Sequence, residues 1–231
     1  MSVIHDEEFG NITLRRSARA TQVRVRVAPD GTLRASLPMY APTLLVKRLI
    51  KGSRNELREL LFESRPKTVY ENGMQIGKSH TLIVQAYGGE THNVIRHGQQ
   101  IIVKLPSTAT LNDSRVVNSI RDVVIAALRV EAKSYLPKRL AFLATKHGFQ
   151  YEKLRFSHAG GRWGSCSTTG TISLNIALMK LPFELIDYVL LHELSHTKQM
   201  NHSPSFWLLV ESADPQFKIH KRALKLESPS I

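Results

Sequence analysis

The stretch HELSH, residues 192–196, decides the fold. Its two histidines stand four positions apart, and residues four apart lie one above the other on an α-helix, so both imidazoles can bind one metal ion. Neutral imidazole is a preferred ligand of Zn²⁺. Glu193 follows the first histidine, where its carboxylate reaches a water on the metal rather than the metal itself. The spacing therefore predicts a helical zinc site with His192 and His196 as ligands and Glu193 as the general base.

The residues around this stretch indicate a helix that is buried on every side. Apolar side chains cover nearly its whole circumference, and a helix that is apolar all round is buried. Histidines and a glutamate in such a place need partners, and a metal ion provides them. The alternative is a pair of hydrogen-bonded histidines in the core. The apolar residues are Ile186, Val189, Leu190, Leu191 and Leu194.

His202 is the candidate third ligand. It lies six residues after His196, and on an unbroken helix it would point about 120° away, given ~100° per residue. The helix must therefore end between them. Asn201 can adopt the left-handed conformation that ends helices, and Ser203 followed by Pro204 is typical of the start of a new helix. We predict that His202 lies in the turn and points back at the metal.

Other ligand sets are also possible. Glu211, on a following helix, is the rival third ligand. Cys166 could be a fourth ligand that closes the site and makes the zinc structural. Metzincins share the histidine spacing, but they have glycine at the position of Gln199 and a later Met-turn. Neither feature is present, so the metzincin class is excluded.

Several stretches together resemble the YgjP-like family of predicted metal-dependent hydrolases, which is related to the SprT-like and WLM-type zinc peptidases. The similarity extends over most of the chain and is strongest between residues 162 and 207. The stretches that carry it are Arg15–Ala20 (RRSARA), Arg162–Ser167 (RWGSCS), Ile172–Asn175 (ISLN), the HELSH motif and Asn201–Trp207 (NHSPSFW).

The resemblance implies a zincin-type catalytic domain. It implies one zinc ion per chain on His192, His196 and His202, and Glu193 as the catalytic residue. The leading function is zinc-dependent hydrolysis of peptide bonds in a peptide or protein substrate. Two alternatives remain: hydrolysis of a non-peptide amide, and a nucleic-acid-associated protein with a structural zinc site.

Several residues are candidates for supporting roles. Tyr188, His158 and Arg162 could each stabilise the oxyanion, and Asp187 could orient a ligand. Ile172–Asn175 could be a free strand edge that binds an extended peptide, or one strand of an ordinary core hairpin.

The pattern along the chain predicts an α+β protein. Residues 1–106 form a β-rich N-terminal region with one helix, and residues 107–231 form the zincin-like catalytic domain. Pro106 and the polar residues after it mark the boundary. The expected strands are 23–27, 33–37, 73–76, 81–86, 91–96, 101–105, 153–156 and 171–176. The expected helices are 42–63, 116–133, 136–146, 182–200 and a region from 203 to the end.

Composition sets the remaining expectations. The chain has 231 residues, of which 42% are hydrophobic and 22% charged, which is typical of a folded protein. No apolar run approaches the ~18–20 residues of a membrane helix, and no signal peptide is visible, so a cytoplasmic location is expected. A single cysteine, Cys166, excludes an internal disulfide and a cysteine-rich zinc module.

Charge is the compositional outlier. Lys and Arg number 32 against 19 Asp and Glu, a net charge of +13. Such a balance predicts polyanionic partners, including weak contact with nucleic acid through a basic surface. An arginine cluster at the N-terminus is, by default, a solvated sheet face. It comprises Arg15, Arg16, Arg19, Arg24 and Arg26. No feature of the sequence predicts an oligomeric state.

Overall fold

The structure is a computed structural model that describes residues 2–28, 32–63, 69–158 and 161–231. It combines sheets and helices in an α+β fold, which confirms the predicted class. The backbone forms two compact units, Met1–Lys67 and Thr68–Ile231. The predicted domain boundary at residue 106 stays a prediction, because it concerns which parts of the chain fold independently.

The N-terminal unit contains a sheet and two helices. The elements are β1 Ser2–Asp6, β2 Gly10–Ser17, β3 Arg24–Val27, β4 Leu33–Pro38, α1 Thr43–Gly52 and α2 Arg54–Glu63. The strands lie in the sheet in the order β1-β2-β4-β3, where β2 and β4 are parallel and the other described pairs are antiparallel. The predicted pairing of residues 23–27 with 33–37 is confirmed by β3 and β4, whereas the turn at 29–31 lies outside the described residues.

One helix was expected over residues 42–63, and that prediction is wrong. The chain leaves helical geometry at Ser53, with φ −113° and ψ 28°, so α1 and α2 are separate helices. Both pack on one face of the sheet, since the alternating residues of β4 meet apolar residues of the helices. This core contains Ile12, Leu14, Leu33, Ala35, Leu37, Val46, Ile50 and Leu57.

The C-terminal unit contains two further sheets. The strands are β5 Gln75–Ile76, β6 His80–Ala86, β7 Asn93–His97, β8 Gln100–Leu105, β9 Lys153–Ser157, β10 Gly164–Cys166 and β11 Thr171–Asn175. The first sheet has the order β5-β6-β8-β7. It confirms both predicted strand pairs, β5 with β6 and β7 with β8, and the parallel pairing of β6 with β8 joins them. The second sheet has the order β10-β11-β9.

The helices of this unit are α3 Ser114–His147, α4 Phe183–Ser195, α5 Pro204–Ala213 and α6 Phe217–Leu224, with a short 3-10 helix at Ile176–Lys180. The two helices expected on either side of Pro137 form one continuous helix, α3. It ends at Gly148, whose φ of 64° is the left-handed conformation predicted for this stop. No helix of the described ranges is both long and apolar enough to cross a membrane.

A buried carboxylate joins α3 to the turn before β6. Glu131 accepts hydrogen bonds from the backbone N–H groups of Lys78 (2.7 Å) and Ser79 (2.9 Å), the Ser79 hydroxyl (2.8 Å) and His80 Nδ1 (2.6 Å). Gly77 has a φ of +62°, and a Cβ there would lie 2.2 Å from Glu131 Oε2. The turn is therefore built around this carboxylate.

The strand predicted to be a free edge is not one. Ile172–Asn175 belongs to β11, which pairs antiparallel with β10 on one side and parallel with β9 on the other. Both rows of backbone groups are therefore already hydrogen-bonded, and neither can accept a peptide. It is one strand of a hairpin, as the alternative expected, but its partner in that hairpin is β10, whereas residues 153–156 lie in β9, which runs parallel to it.

Candidate metal centre

The helix α4 carries the HELSH motif, and it is buried as its composition predicted. Apolar neighbours surround it from Leu185 to Leu194, and Glu193 is itself only 6% exposed. His192 lies in the last turn, and His196 is the residue that caps the carboxyl end of the helix. The helix ends at Ser195 instead of Met200, so its carboxyl end places both imidazoles next to the turn that follows.

The structure brings three imidazoles together. His192, His196 and His202 each offer one ring nitrogen, and these three atoms lie within 4.8 Å of one another. The Nε2 atoms of His192 and His202 are 3.2 Å apart. A tetrahedral Zn²⁺ with bonds of ~2.0–2.1 Å separates its ligand nitrogens by about 3.3 Å. The spacing therefore suits nitrogens that share one small ion.

The turn that carries His202 forms by a route the sequence did not indicate. Asn201 has no positive φ, so its predicted left-handed conformation is wrong. Instead, the His196 ring closes the turn, since its Nδ1 donates to the Gln199 carbonyl at 3.1 Å. A carbonyl can only accept, so Nδ1 holds the proton and Nε2 keeps its lone pair. Ser203 then caps α5 by accepting from the N–H of Phe206, as predicted.

Aromatic side chains of α5 support the three imidazoles. Phe206 is fully buried and stacks on His196, with ring centroids 4.5 Å apart. It also meets the rings of His192 and His202 edge-on, at 5.0 and 4.8 Å. Trp207 stacks on His202 at 5.6 Å. These contacts restrict the rotation of each ring before any ion binds.

Glu193 lies beside the histidines with an unused acceptor. Its Oε2 is buried and has no hydrogen-bond partner among the described residues. The strand β10 lies directly against it, because a Cβ on Gly164 would come within 2.7 Å of Glu193 Oε1. Burial raises the pKa of Glu193 to about 7, and the charge of Arg162 opposes this shift. A buried carboxyl of this kind is suited to proton transfer.

The electrostatics of the site keep two of the imidazoles, those of His192 and His196, neutral. Burial, followed by the neighbouring His196 and His202, lowers the pKa of His192 to about 3. Burial also lowers the pKa of His196. His192 Nδ1 is buried and unpartnered within the described part of the chain. Neutral imidazoles are the form that binds a metal.

The rival ligands lie outside this group. Glu211 is exposed on α5 and contacts Lys218, with Nζ and Oε1 3.5 Å apart. Cys166 is half-buried at the end of β10, where burial, and then Glu193, raise the pKa of its thiol. The potential ligand group found in the described ranges comprises the three histidines alone.

The proposed supporting residues separate into two sets. Tyr188 is buried, and its ring lies 6.0 Å from that of His192. The charge of Arg162 acts on Glu193 and opposes the rise of its pKa that burial causes. His158 instead is exposed and contacts Arg129. Asp187 does not orient a ligand, because it forms an ion pair with Arg139 that ties α4 to α3.

Sequence reasoning missed a histidine–carboxylate pair next to Tyr188. His220 on α6 bonds through Nδ1 to Asp214 Oδ2 at 2.7 Å, and its ring lies 6.3 Å from that of Tyr188. Burial, and then the carboxylates of Asp214 and Glu193, raise the pKa of Tyr188 to about 12. No motif spacing marks this pair, and its position beside Tyr188 depends on the packing of α6 on α4.

Comparison with known proteins places the geometry in context. A family model described as YgjP-like, metallopeptidase domain, matches residues 21–227. No curated protein matches the chain. Two solved structures of metallopeptidase zymogens match in part. Abylysin from Pyrococcus abyssi shows 30% identity, a TM-score of 0.36, and coverage of 38% of this chain and 91% of its own. Jannalysin from Methanocaldococcus jannaschii shows 21% identity, a TM-score of 0.33, and coverage of 39% and 96%.

Proposed function

The chain belongs to the YgjP-like family of metallopeptidase domains, and we propose that it is a zinc-dependent peptidase in which Glu193 is the general base. The observation that carries this proposal is the convergence of three imidazoles beside a buried carboxylate that has an unused acceptor. The family implies a metal ion. The donor set of this chain then favours zinc.

His192, His196 and His202 would hold the ion. Three neutral nitrogen ligands, without a carboxylate or thiolate in the group, suit Zn²⁺ better than a hard cation such as Mg²⁺ or Ca²⁺. Structural zinc sites have four protein ligands, whereas catalytic sites have three and an open position. The three-histidine group therefore favours catalysis over a structural role.

Glu193 would move the proton. Zinc, when bound, lowers the pKa of a water and polarises the scissile carbonyl. The Glu193 carboxylate accepts a proton from the attacking water and later returns it to the leaving amine. Its Oε2 is the available atom, since no described residue donates to it. Tyr188 and Arg162 are the proposed sources of further oxyanion stabilisation, because both lie close to this group.

The substrate would be an extended peptide or protein segment on β10. This strand pairs with β11 on one side and has no partner strand on the other among the described elements. An extended peptide can bind such an edge by backbone hydrogen bonds. Gly164 lies against Glu193, so a peptide on this edge passes the general base.

Metal analysis of matched variants tests the proposal. Protein purified without chelator should contain one zinc per chain and should cleave unfolded casein. His202→Ala should lose both, and so should His192→Ala and His196→Ala, because each removes a ligand. Glu211→Ala is the matched control, since it removes an exposed glutamate of α5 and should keep both.

Three outcomes would contradict the proposal. Full zinc retention in His202→Ala with loss in Glu211→Ala would reassign the third ligand. Bound zinc without cleavage of any peptide would favour a structural site in a nucleic-acid-associated protein. Hydrolysis of small amides without cleavage of casein or peptides would replace the peptidase with an amidase.

A further inference from the structure

The sheet of the N-terminal unit has an arginine-rich face. The register pairs Arg26 with Arg34 across β3 and β4, and Arg15 and Arg24 both lie opposite Ser36. Directly paired residues share one side of a sheet, so these arginines lie together. The apolar residues of the same strands point to the other side, where α1 and α2 pack.

This arginine face lines a cleft of about 650 Å³. Arg19, in the connection after β2, contributes a fifth guanidinium, and all five are exposed. No carboxylate is among the described residues that line the cleft. Hydroxyl groups stand between the arginines instead, on Thr13, Ser17, Thr21 and Ser36.

Four of the five charges of the arginine face, all except that of Arg34, have no carboxylate partner among the described residues. The side chains of Arg15, Arg19 and Arg26 form no ion pair or hydrogen bond with any described residue. Arg24 donates only to the side-chain oxygen of Gln22, at 3.0 Å, once that amide is oriented to satisfy both groups. The face therefore calls for an external polyanion.

We propose that the arginine face binds the sugar–phosphate backbone of a nucleic acid. Every cation on it is arginine, whose planar guanidinium binds phosphate through two parallel hydrogen bonds. Serine and threonine hydroxyls also donate to phosphate oxygens. A repeating array of cations on adjacent strands suits a polymer with regularly spaced charges.

The same face argues against other modes of binding. None of the described residues that line the cleft is aromatic, so they offer bases no stacking platform, and binding should not depend on sequence. The described part of the lining also exposes no large apolar side chain that could insert into a lipid surface. This site does not depend on the proposed peptidase activity, because none of its residues belongs to the histidine group.

Fluorescence anisotropy with the full chain tests the site. The probes are labelled single-stranded RNA, single-stranded DNA and duplex DNA of mixed sequence. Phosphate contacts from Arg15, Arg19, Arg24 and Arg26 predict a log–log salt slope of about −3.6 on duplex DNA and about −2.8 on single strands. Affinity should then fall by about 50-fold or more between ~50 and ~200 mM salt. Absence of binding at the lower salt concentration would overturn the proposal.

A charge-matched pair of variants localises the binding. The triple variant Arg15→Gln, Arg24→Gln, Arg26→Gln should bind at least ~10-fold more weakly, with a slope shallower by about 2 to 3. The control Lys47→Gln, Arg48→Gln, Lys51→Gln removes the same net charge from exposed positions of α1 and should bind almost as the wild type does.

Equal loss in the two triple variants would overturn the proposal, because net charge would then suffice. Tighter binding of polyglutamate or of anionic vesicles than of nucleic acid would also overturn it, in favour of an acidic protein or a membrane surface. Circular dichroism shows whether both variants are folded, and casein cleavage should be unchanged in both, since neither set of residues belongs to the histidine group.

Discussion

Two histidine–glutamate pairs in the C-terminal unit, each with a buried glutamate, have opposite environments. Glu131 accepts four hydrogen bonds, one of them from His80. Glu193 has a buried oxygen with no partner among the described residues, and His192 has a buried nitrogen in the same state. The residue types are the same and both glutamates are buried, so neither composition nor the burial of the carboxyl group distinguishes the two pairs. The number of hydrogen bonds that each glutamate accepts does distinguish them.

The comparison shows how a structural pair differs from a chemical one. Hydrogen bonds to the Glu131 carboxylate hold a turn against α3, and removing them would leave buried donors unpaired. An unpartnered carboxylate at Glu193 contributes little to the fold but can take a proton from a substrate or water. Stability and activity should therefore respond in opposite ways at the two sites.

The largest expected effect is on turnover, in Glu193→Gln. The amide keeps the size of the side chain but cannot accept a proton, so casein cleavage should fall by about 10²–10⁴-fold. Zinc content should be unchanged. The free energy of unfolding in urea should stay equal or rise, since a buried carboxyl without a partner is replaced by a neutral group. Full turnover in this variant would remove Glu193 from the mechanism.

The corresponding change in the other pair is Glu131→Gln, which should affect stability instead of turnover. It places an amide N–H₂ among groups that already donate, and it should lower the free energy of unfolding by about 3 kcal/mol. Cleavage per folded molecule should not change. Urea denaturation followed by circular dichroism measures the first quantity, and casein cleavage at low temperature the second. If Glu131→Gln were inactive but as stable as the wild type, Glu131 would not have the structural role that separates it from Glu193.

Adding one methyl group beside each glutamate gives a smaller contrast. Gly164→Ala places a Cβ 2.7 Å from Glu193 Oε1, so the carboxylate must shift and turnover should fall on the order of tenfold. Gly77→Ala should instead lower stability, by about 2 kcal/mol, because its φ of +62° is unfavourable for alanine and its Cβ meets Glu131. Kinetic and unfolding measurements on both variants should show mainly a loss of turnover in Gly164→Ala and mainly a loss of stability in Gly77→Ala. Equal losses of both quantities in the two variants would contradict this expectation.

The smallest effect is the pH dependence of stability. Burial alone raises the pKa of Glu131, but hydrogen bonds from Lys78, His80 and Ser79 outweigh it and hold the pKa below its usual range. Its contribution is therefore present above the unfolded-state pKa and is lost as pH falls through the folded-state value. Urea midpoints measured from about pH 5 to about pH 3 should fall more steeply for the wild type than for Glu131→Gln. Parallel profiles would contradict this assignment.

The features that could be predicted from sequence depend on local geometry. The spacing of His192 and His196 defines one face of a helix, and the order Ser203, Pro204 defines the start of the next. That a turn separates the two helices at His202 follows from these two signals, although the way in which the turn closes does not. Strict alternation of apolar and polar residues likewise predicts β3 and β4, because a few residues of a strand are enough to indicate which of its faces is buried.

Other features arise only from contacts between distant segments. The three residues of β10 are too few to show a pattern, and their position beside Glu193 depends on how the sheet meets α4. The parallel pairing of β2 with β4 places Arg15 beside Ser36, which no local signal indicates. The end of α4 was predicted from the backbone preference of Asn201, whereas a side-chain bond from His196 closes the turn.

The indole of Trp207 has a consequence for how the protein can be studied. It stacks on His202 on one side of the site and on Phe217 at 5.7 Å, and Lys221 lies 3.7 Å from its centroid. Indole emission responds to charge and to stacked rings in contact with it. A change in the charge or position of His202 therefore alters the fluorescence of Trp207. In a Trp163→Phe background, which leaves one of the two tryptophans, the protein reports the occupancy of its own site without a dye.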